Sequence, residues 1–67
     1  MSIETSVRNG VATIEIARPE KKNALTPTMY TAMADVLDAA SDDKAVRAVL
    51  FTGQGRTFTA GNDLEDF

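Results

Sequence analysis

The segment Ala60-Gly61-Asn62-Asp63 has the residue types of a turn whose backbone amides could stabilise negative charge. Glycine adopts positive φ at little steric cost, so Gly61 allows the neighbouring N–H groups to turn toward one point. The acidic residues from Asp63 to Asp66 are typical of the first turn of a helix, where backbone amides carry the positive end of the helix dipole. Such amides suit a carbonyl oxygen that gains negative charge during a reaction. The alternative, from spacing alone, is an ordinary glycine turn followed by an aspartate cap.

The elements that must position this turn begin with an apolar run, Ala48-Val49-Leu50-Phe51-Thr52, which predicts a buried strand. The glycines of Gly53-Gln54-Gly55 predict the turn that ends it. Near the start of the chain, Asn9-Gly10 lies between two apolar runs and predicts a β-hairpin of residues 3–8 and 11–17 with a type I′ turn. Alternation in the second strand places Ala12, Ile14 and Ile16 on one buried face.

Thr26 and Pro27 predict the start of a long helix, with Thr26 as N-cap and Pro27 at the first helical position. Apolar residues recur at spacings of three and four as far as about Ser41 and predict one buried stripe: Met29, Tyr30, Met33, Ala34, Val36, Leu37 and Ala40. A strand over 45–52 follows. We therefore predict an α/β chain of ββαβ order, with a right-handed crossover, a parallel third strand and the start of a second helix after Asp63.

The loop from Arg18 to Asn23 is locally basic. Pro19 removes a backbone donor and ends the strand, and three basic residues against Glu20 give this loop a charge of +2 in a chain of net charge −3. One interpretation is a solvated basic loop. The other is a site for phosphate groups, with Lys21 and Lys22 as point charges.

Composition narrows the function classes. A chain of 67 residues forms one small domain, and without Cys or His it has no disulfides and no Cys or His metal ligands, so we expect no metal site. The acidic balance argues against nucleic-acid binding. No apolar run approaches the ~20 residues that cross a bilayer, and no leader is evident, so the default expectation is a cytoplasmic protein without a membrane partner. The Gly-x-Gly of residues 53–55 is no dinucleotide fingerprint, because bulky Phe58 occupies the third glycine position.

Two motifs resemble those of the enoyl-CoA hydratase/isomerase (crotonase) superfamily. Residues 58–64, Phe-Thr-Ala-Gly-Asn-Asp-Leu, resemble its Phe-x-Ala-Gly-x-Asp-Leu signature, and residues 16–25 resemble its first coenzyme A loop. They occur in the family's order, separated by a helix and a strand. The resemblance extends over residues 1–67 and implies the incomplete N-terminal quarter of a crotonase-like domain.

The resemblance implies roles for individual residues. The backbone N–H of Asn62 would be one of two donors to the oxygen of an acyl-CoA thioester, which is a substrate and not a prosthetic group. The residues implied to bind substrate or coenzyme are Lys21, Lys22, Ala24, Ala60, Gly61, Asp63 and Leu64. The second donor and the acid/base carboxylates belong to later parts of such proteins, so we expect the 67 residues alone to be inactive. The resemblance also implies that the full-length protein is a homo-oligomer, either a trimer or a dimer of trimers.

A rival hypothesis needs no catalysis. A three-stranded sheet with one covering helix leaves a sheet face and the edge of the third strand unprotected, and such edges recruit other chains. The chain would then be a truncated or proteolysed piece that self-associates.

Overall fold

The computed structural model describes residues 2–65 and contains three strands and one long helix. The strands are β1 (Ile3–Arg8), β2 (Val11–Ile16) and β3 (Ala48–Gly53), and the helix α1 spans Pro27–Ser41. A short 3-10 turn, Pro19–Lys21, follows β2. The sheet order is β1-β2-β3, with β1 antiparallel and β3 parallel to β2. This confirms the predicted α/β class and ββαβ order.

The local signals at both turns give the expected geometry. Asn9 and Gly10 have φ values of 52° and 81°, the positive angles that a type I′ turn needs at both central residues. Thr26 caps α1, since its hydroxyl accepts a hydrogen bond from the N–H of Met29 at 3.2 Å. Pro27 occupies the first turn, where a missing N–H breaks no helical hydrogen bond.

The core lies between α1 and the first two strands. Ala12, Ile14 and Ile16 are buried on one face of β2, as the alternation predicts. Ile14 and Ile16 pack with Ile3, Leu25, Met29 and Met33. The predicted helical stripe is too wide: Tyr30, Ala34 and Leu37 are exposed, and Ala32 packs against the core instead. The reason is that α1 rests on β1 and β2, so only a narrow strip of the helix faces the sheet.

The prediction of a buried third strand is wrong for this chain. Val49, Leu50 and Phe51 in β3 are 38%, 50% and 39% exposed. The register aligns Val49 with Ala12 and Phe51 with Ile14, so both valine and phenylalanine lie on the helix side of the sheet. Because α1 packs on the other two strands, these side chains are left uncovered. An apolar run therefore identified the strand correctly and its burial incorrectly.

Two boundaries also differ from the predictions. Residues 45–47 precede β3 and do not belong to it, because Asp43 closes a turn there by accepting hydrogen bonds at its backbone and side chain from Val46 and Ala45. Where the second helix is predicted to start, residues 64–65 form a turn, and the rest of that prediction, residues 66–67, lies outside the described residues. Between residues 2 and 65, no helix combines the length and the apolar character that crossing a membrane requires.

Candidate functional site

The basic loop after β2 is held in an uncommon backbone conformation. After the 3-10 turn, Lys22 and Asn23 both have positive φ, 53° and 59°. Two successive non-glycine residues in the left-handed region carry a conformational cost, although asparagine tolerates this region better than most residues. The loop therefore depends on contacts with the rest of the chain to keep its shape.

Asn23 supplies most of those contacts. It is fully buried, and its side-chain oxygen accepts a hydrogen bond from the N–H of Arg18 at 2.8 Å. Its side-chain nitrogen donates to the carbonyl oxygens of Gln54 and Thr57, at 2.9 and 2.6 Å. The backbone carbonyl of Asn23 accepts from the hydroxyl of Thr59 at 2.7 Å. One side chain thus joins the basic loop to the segment that leaves β3.

The glycine turn lies directly beside this loop. Leu25 and Asn62 form a parallel bridge, in which the N–H of Leu25 donates to the carbonyl of Gly61 and its carbonyl accepts from the N–H of Asp63, both at 2.8 Å. The N–H of Ala60 donates to the carbonyl of Lys22 at 3.0 Å. Gly61 has a φ of +89°, the positive angle expected from its type.

The amides of this turn are not equivalent. The N–H groups of Ala60 and Asp63 are used as described, and that of Gly61 donates to the hydroxyl of Thr59 at 3.1 Å. Since Leu25 bonds to both neighbours of Asn62, the peptide groups of Asn62 are directed away from it. Within residues 2–65 the N–H of Asn62 has no acceptor, and the residue is exposed. It is therefore the amide of the four that can bind an external oxygen.

An ion pair adjoins Asn62. The guanidinium of Arg18 donates to a carboxylate oxygen of Asp63 at 2.8 Å and to the carbonyl of Ala24 at 3.0 Å. The other carboxylate oxygen of Asp63 accepts from the N–H of Glu65 at 3.0 Å. These hydrogen bonds, that from Arg18 first, hold the pKa of Asp63 below its ordinary value. The two side chains are only 16% and 11% exposed, so little water competes for the pair.

The helix also reaches the turn. The hydroxyl of Tyr30, in the first turns of α1, donates to the side-chain oxygen of Asn62 at 2.6 Å. Tyr30 was predicted to be a core residue, but its exposed ring leaves the hydroxyl at the surface beside the glycine turn.

The structure brings the two predicted binding segments together. Lys21, Lys22, Ala60 and Asn62 are exposed around their junction, whereas Ala24, Gly61 and Asp63 are half-buried within it. The side chain of Leu64 is 87% exposed and makes no part of the junction. Over residues 2–65, no cluster of three or more carboxylates capable of holding a metal ion is present.

Sequence reasoning missed three residues that shape this site: Arg18, Asn23 and Tyr30. The one available signal was at Asn23, because an asparagine next to a proline-containing loop tolerates the left-handed conformation and bonds to nearby backbone groups. Nothing in the spacing of Arg18 or Tyr30 indicates partners 45 and 32 positions away.

Comparison with known proteins identifies relatives of this chain. A family model described as "Enoyl-CoA hydratase/isomerase" matches residues 6–67. Hydroxycinnamoyl-CoA hydratase-lyase of Pseudomonas fluorescens is 36% identical over 66 residues, covering 98% of this chain and 24% of that protein. The 1,2-epoxyphenylacetyl-CoA isomerase of Escherichia coli K12 is 39% identical over 64 residues, covering 96% of this chain and 24% of that protein.

Solved structures give the same result. The crystal structure of an enoyl-CoA hydratase/isomerase from Pseudoalteromonas atlantica T6c superimposes with a TM-score of 0.96 at 51% identity, covering all of this chain and 27% of that one. The chain therefore belongs to the enoyl-CoA hydratase/isomerase family. It spans about a quarter of the length of these relatives.

Proposed function

We propose that this chain forms part of an enzyme that binds an acyl-CoA thioester and stabilises its enolate in an oxyanion hole, with the N–H of Asn62 as one donor. The observation that carries the proposal is that three of the four amides of residues 60–63 have internal acceptors, while that of Asn62 has none within residues 2–65. Gly61 gives the turn the positive φ that aims this amide outward. The substrate class is supported by the names of two relatives, hydroxycinnamoyl-CoA hydratase-lyase and 1,2-epoxyphenylacetyl-CoA isomerase.

The proposed chemistry begins at the thioester carbonyl. A hydrogen bond from Asn62 polarises it and stabilises the negative charge that its oxygen gains when a proton leaves the adjacent carbon. In an isomerisation this proton leaves Cα and a proton adds at Cγ as the double bond shifts. In a hydration the enolate forms instead when the oxygen of water adds to Cβ of a 2-enoyl thioester and loses a proton, and Cα then gains a proton. One such donor is typically worth about 10²- to 10³-fold in rate. The second donor and the acid/base carboxylates are proposed to lie outside these 67 residues, so the chain alone is inactive.

The coenzyme is proposed to lie along the basic loop and Ala60. The ammonium groups of Lys21 and Lys22 are exposed and suit phosphates. The N–H groups of Lys21, Lys22 and Ala24 all donate within the loop, to Arg18, Pro19 and Lys21 respectively. Their N–H groups are thus already used. Each of their carbonyls accepts one hydrogen bond and has a second lone pair, which suits the exocyclic amine of adenine.

The remaining proposals follow from the family resemblance. The enzyme uses the coenzyme A thioester as substrate without a prosthetic group, and its intact form is a cytoplasmic trimer or dimer of trimers. Gly61, Asp63 and Leu64 are proposed to flank the bound substrate. The side chain of Leu64 is exposed, so it can contact an acyl chain.

Two substitutions at Asn62 test the donor in the full-length protein. Asn62→Pro removes the N–H and should lower turnover of a 2-enoyl-CoA or 3-enoyl-CoA about 10²- to 10³-fold. Asn62→Ala keeps the N–H and loses only the Tyr30 contact, an exposed hydrogen bond worth up to about tenfold. The carbonyl stretching frequency of bound butyryl-CoA, which cannot react, should shift toward its free value in Asn62→Pro alone. Equal losses of turnover in both variants would contradict the proposal that the backbone N–H of Asn62 is the donor.

A second candidate function is self-association without catalysis, and the exposed β3 favours it. Val49, Leu50 and Phe51 leave apolar surface on both faces of an edge strand, and Phe58 is 54% exposed nearby in sequence. Such an edge can pair with another chain. Light scattering on the 67-residue chain should then report oligomers, and a monodisperse monomer would count against this candidate.

A further inference from the structure

Gly61 gives the turn its shape, and only its backbone groups help to hold it, through hydrogen bonds with Leu25 and Thr59. Apart from its own chain neighbours, no heavy atom of residues 2–65 would lie within 4 Å of a Cβ at this position. Glycine also has the widest choice of backbone angles of any residue. The direction of the Asn62 amide therefore depends on the hydrogen bonds around the glycine, first those that Leu25 makes with Gly61 and Asp63.

Arg18 holds the residues next to this bridge. Its guanidinium bonds the carboxylate of Asp63, the residue after Asn62, and the carbonyl of Ala24, the residue before the bridge partner Leu25. Its backbone is fixed in turn, since its N–H donates to the Asn23 side chain at 2.8 Å and its carbonyl accepts from Asn23 at 2.9 Å. One residue thus ties both sides of the junction between the basic loop and the glycine turn.

We propose that Arg18 is a positioning residue, which aligns the Asn62 N–H with the thioester oxygen by holding Asp63 and Ala24 at a fixed separation. This inference rests on the proposed function. Arg18 is mostly buried and bonded, so it does not touch the substrate. Its effect falls on the transition state, because misplacing a donor by about 1 Å can cost on the order of 10²-fold in rate while leaving binding intact.

The test compares kcat and KM for the full-length enzyme. Arg18→Met removes the charge and both hydrogen bonds at similar side-chain length. Asp63→Asn removes only the carboxylate and keeps an oxygen for the N–H of Glu65. Each should lower kcat about 10- to 100-fold with little change in KM. The double variant should be no slower than the slower single variant, since both remove one interaction.

Three further measurements separate positioning from simple loss of stability. Arg8→Met makes the same chemical change at an exposed arginine on the far end of the hairpin, and kcat should be unchanged. In Asp63→Asn, bound butyryl-CoA should show a carbonyl frequency closer to that of free butyryl-CoA than in the wild type. Arg18→Lys keeps the charge but lacks the planar fork that reaches both oxygens, so it should restore kcat only in part.

The outcomes are distinguishable from failure of the proposed function. If Asn62→Pro keeps its activity, the proposal that the N–H of Asn62 is an oxyanion donor is wrong. If Asn62→Pro is inactive while Asp63→Asn and Arg18→Lys keep wild-type kcat and carbonyl frequency, only the role of Arg18 is overturned. If Arg18→Met does not fold, the Asp63→Asn measurement decides the question alone.

Discussion

Replacing Asn23 should destabilise the protein more than any other single change among the polar residues of this site. Alanine at this position leaves three backbone groups without their partner: the N–H of Arg18 and the carbonyls of Gln54 and Thr57. A buried polar group left unpaired costs about 1–3 kcal/mol. Because Arg18 and Thr57 are half-buried and Gln54 is exposed, water can replace some of the lost hydrogen bonds. We therefore expect these three unpaired groups to lower the free energy of unfolding by about 3–5 kcal/mol.

A second cost comes from the backbone. Asn23 has a φ of 59°, where alanine is strained by about 1–2 kcal/mol. The total for Asn23→Ala is then roughly 4–7 kcal/mol. For comparison, a chain of 67 residues has a total stability of about 3–10 kcal/mol at 0.05–0.15 kcal/mol per residue.

Matched variants separate the two contributions. Asn23→Gly removes the same hydrogen bonds without the backbone strain, so it should be less destabilising than Asn23→Ala by about 1–2 kcal/mol. Asn9→Ala tests strain alone, because Asn9 is exposed in the hairpin turn with a φ of 52°. Asn23→Asp is isosteric but sets a carboxylate oxygen against two carbonyls, and should be at least as severe as alanine.

Urea titration followed by circular dichroism measures these differences as shifts of the midpoint. The expected order of stability is wild type, Asn9→Ala, Asn23→Gly, Asn23→Ala. If the free energy of unfolding of Asn23→Gly fell by less than about 1 kcal/mol, the prediction would be wrong, because the loss of three hydrogen bonds made by a fully buried side chain should cost more. A loss in Asn23→Asp smaller than in Asn23→Gly would show that the side chain of residue 23 does not face the carbonyls of Gln54 and Thr57.

Two more predictions concern the same junction. Gly53→Ala should lower the free energy of unfolding by about 1–3 kcal/mol, because its Cβ would lie 2.5 Å from the carbonyl oxygen of Phe58 and 2.7 Å from that of Thr57. Gly61→Ala meets no atom of residues 2–65 within 4 Å outside its chain neighbours, so it should lose only the ~1–2 kcal/mol that its positive φ costs an alanine. Thermal unfolding of both variants measures the difference. The lowered pKa of Asp63 means that its ion pair with Arg18 stabilises the folded chain fully at pH values above the ordinary carboxyl pKa of 3.8. This stabilisation is lost as the pH falls through the lowered pKa, because the carboxylate is then protonated. The stability difference between wild type and Asp63→Asn should thus be present at pH 7 and vanish in acid, and a difference that persists unchanged below the lowered pKa would contradict the assignment.

Much of the fold was predictable because its signals are local. The positive φ values of Asn9 and Gly10, the Thr26 cap and the start of α1 at Pro27 depend on residues within four positions of one another. A hairpin, a capped helix and an apolar strand then leave a parallel β2–β3 pairing as the compact arrangement. The Gly61 turn was predictable for the same reason, since its conformation follows from the residue type.

Burial could not be predicted in the same way. The apolar run of β3 and the stripe on α1 indicate which residues can be buried, but their cover depends on where the helix packs. It packs on β1 and β2, so Phe51 and Leu37 remain exposed. Periodicity carries no information on the lateral position of a helix over a sheet.

By itself, the sequence determined the elements, their order and the two segments whose composition suits a coenzyme and an oxyanion. Tertiary structure alone decided that these segments lie side by side and that Asn62 keeps the amide without an internal acceptor within residues 2–65. The contacts responsible join residues 31 to 45 positions apart: Asn23 to Gln54 and Thr57, and Arg18 to Asp63. A buried polar side chain takes whichever partners the folded chain brings within about 3 Å, and no local pattern specifies them.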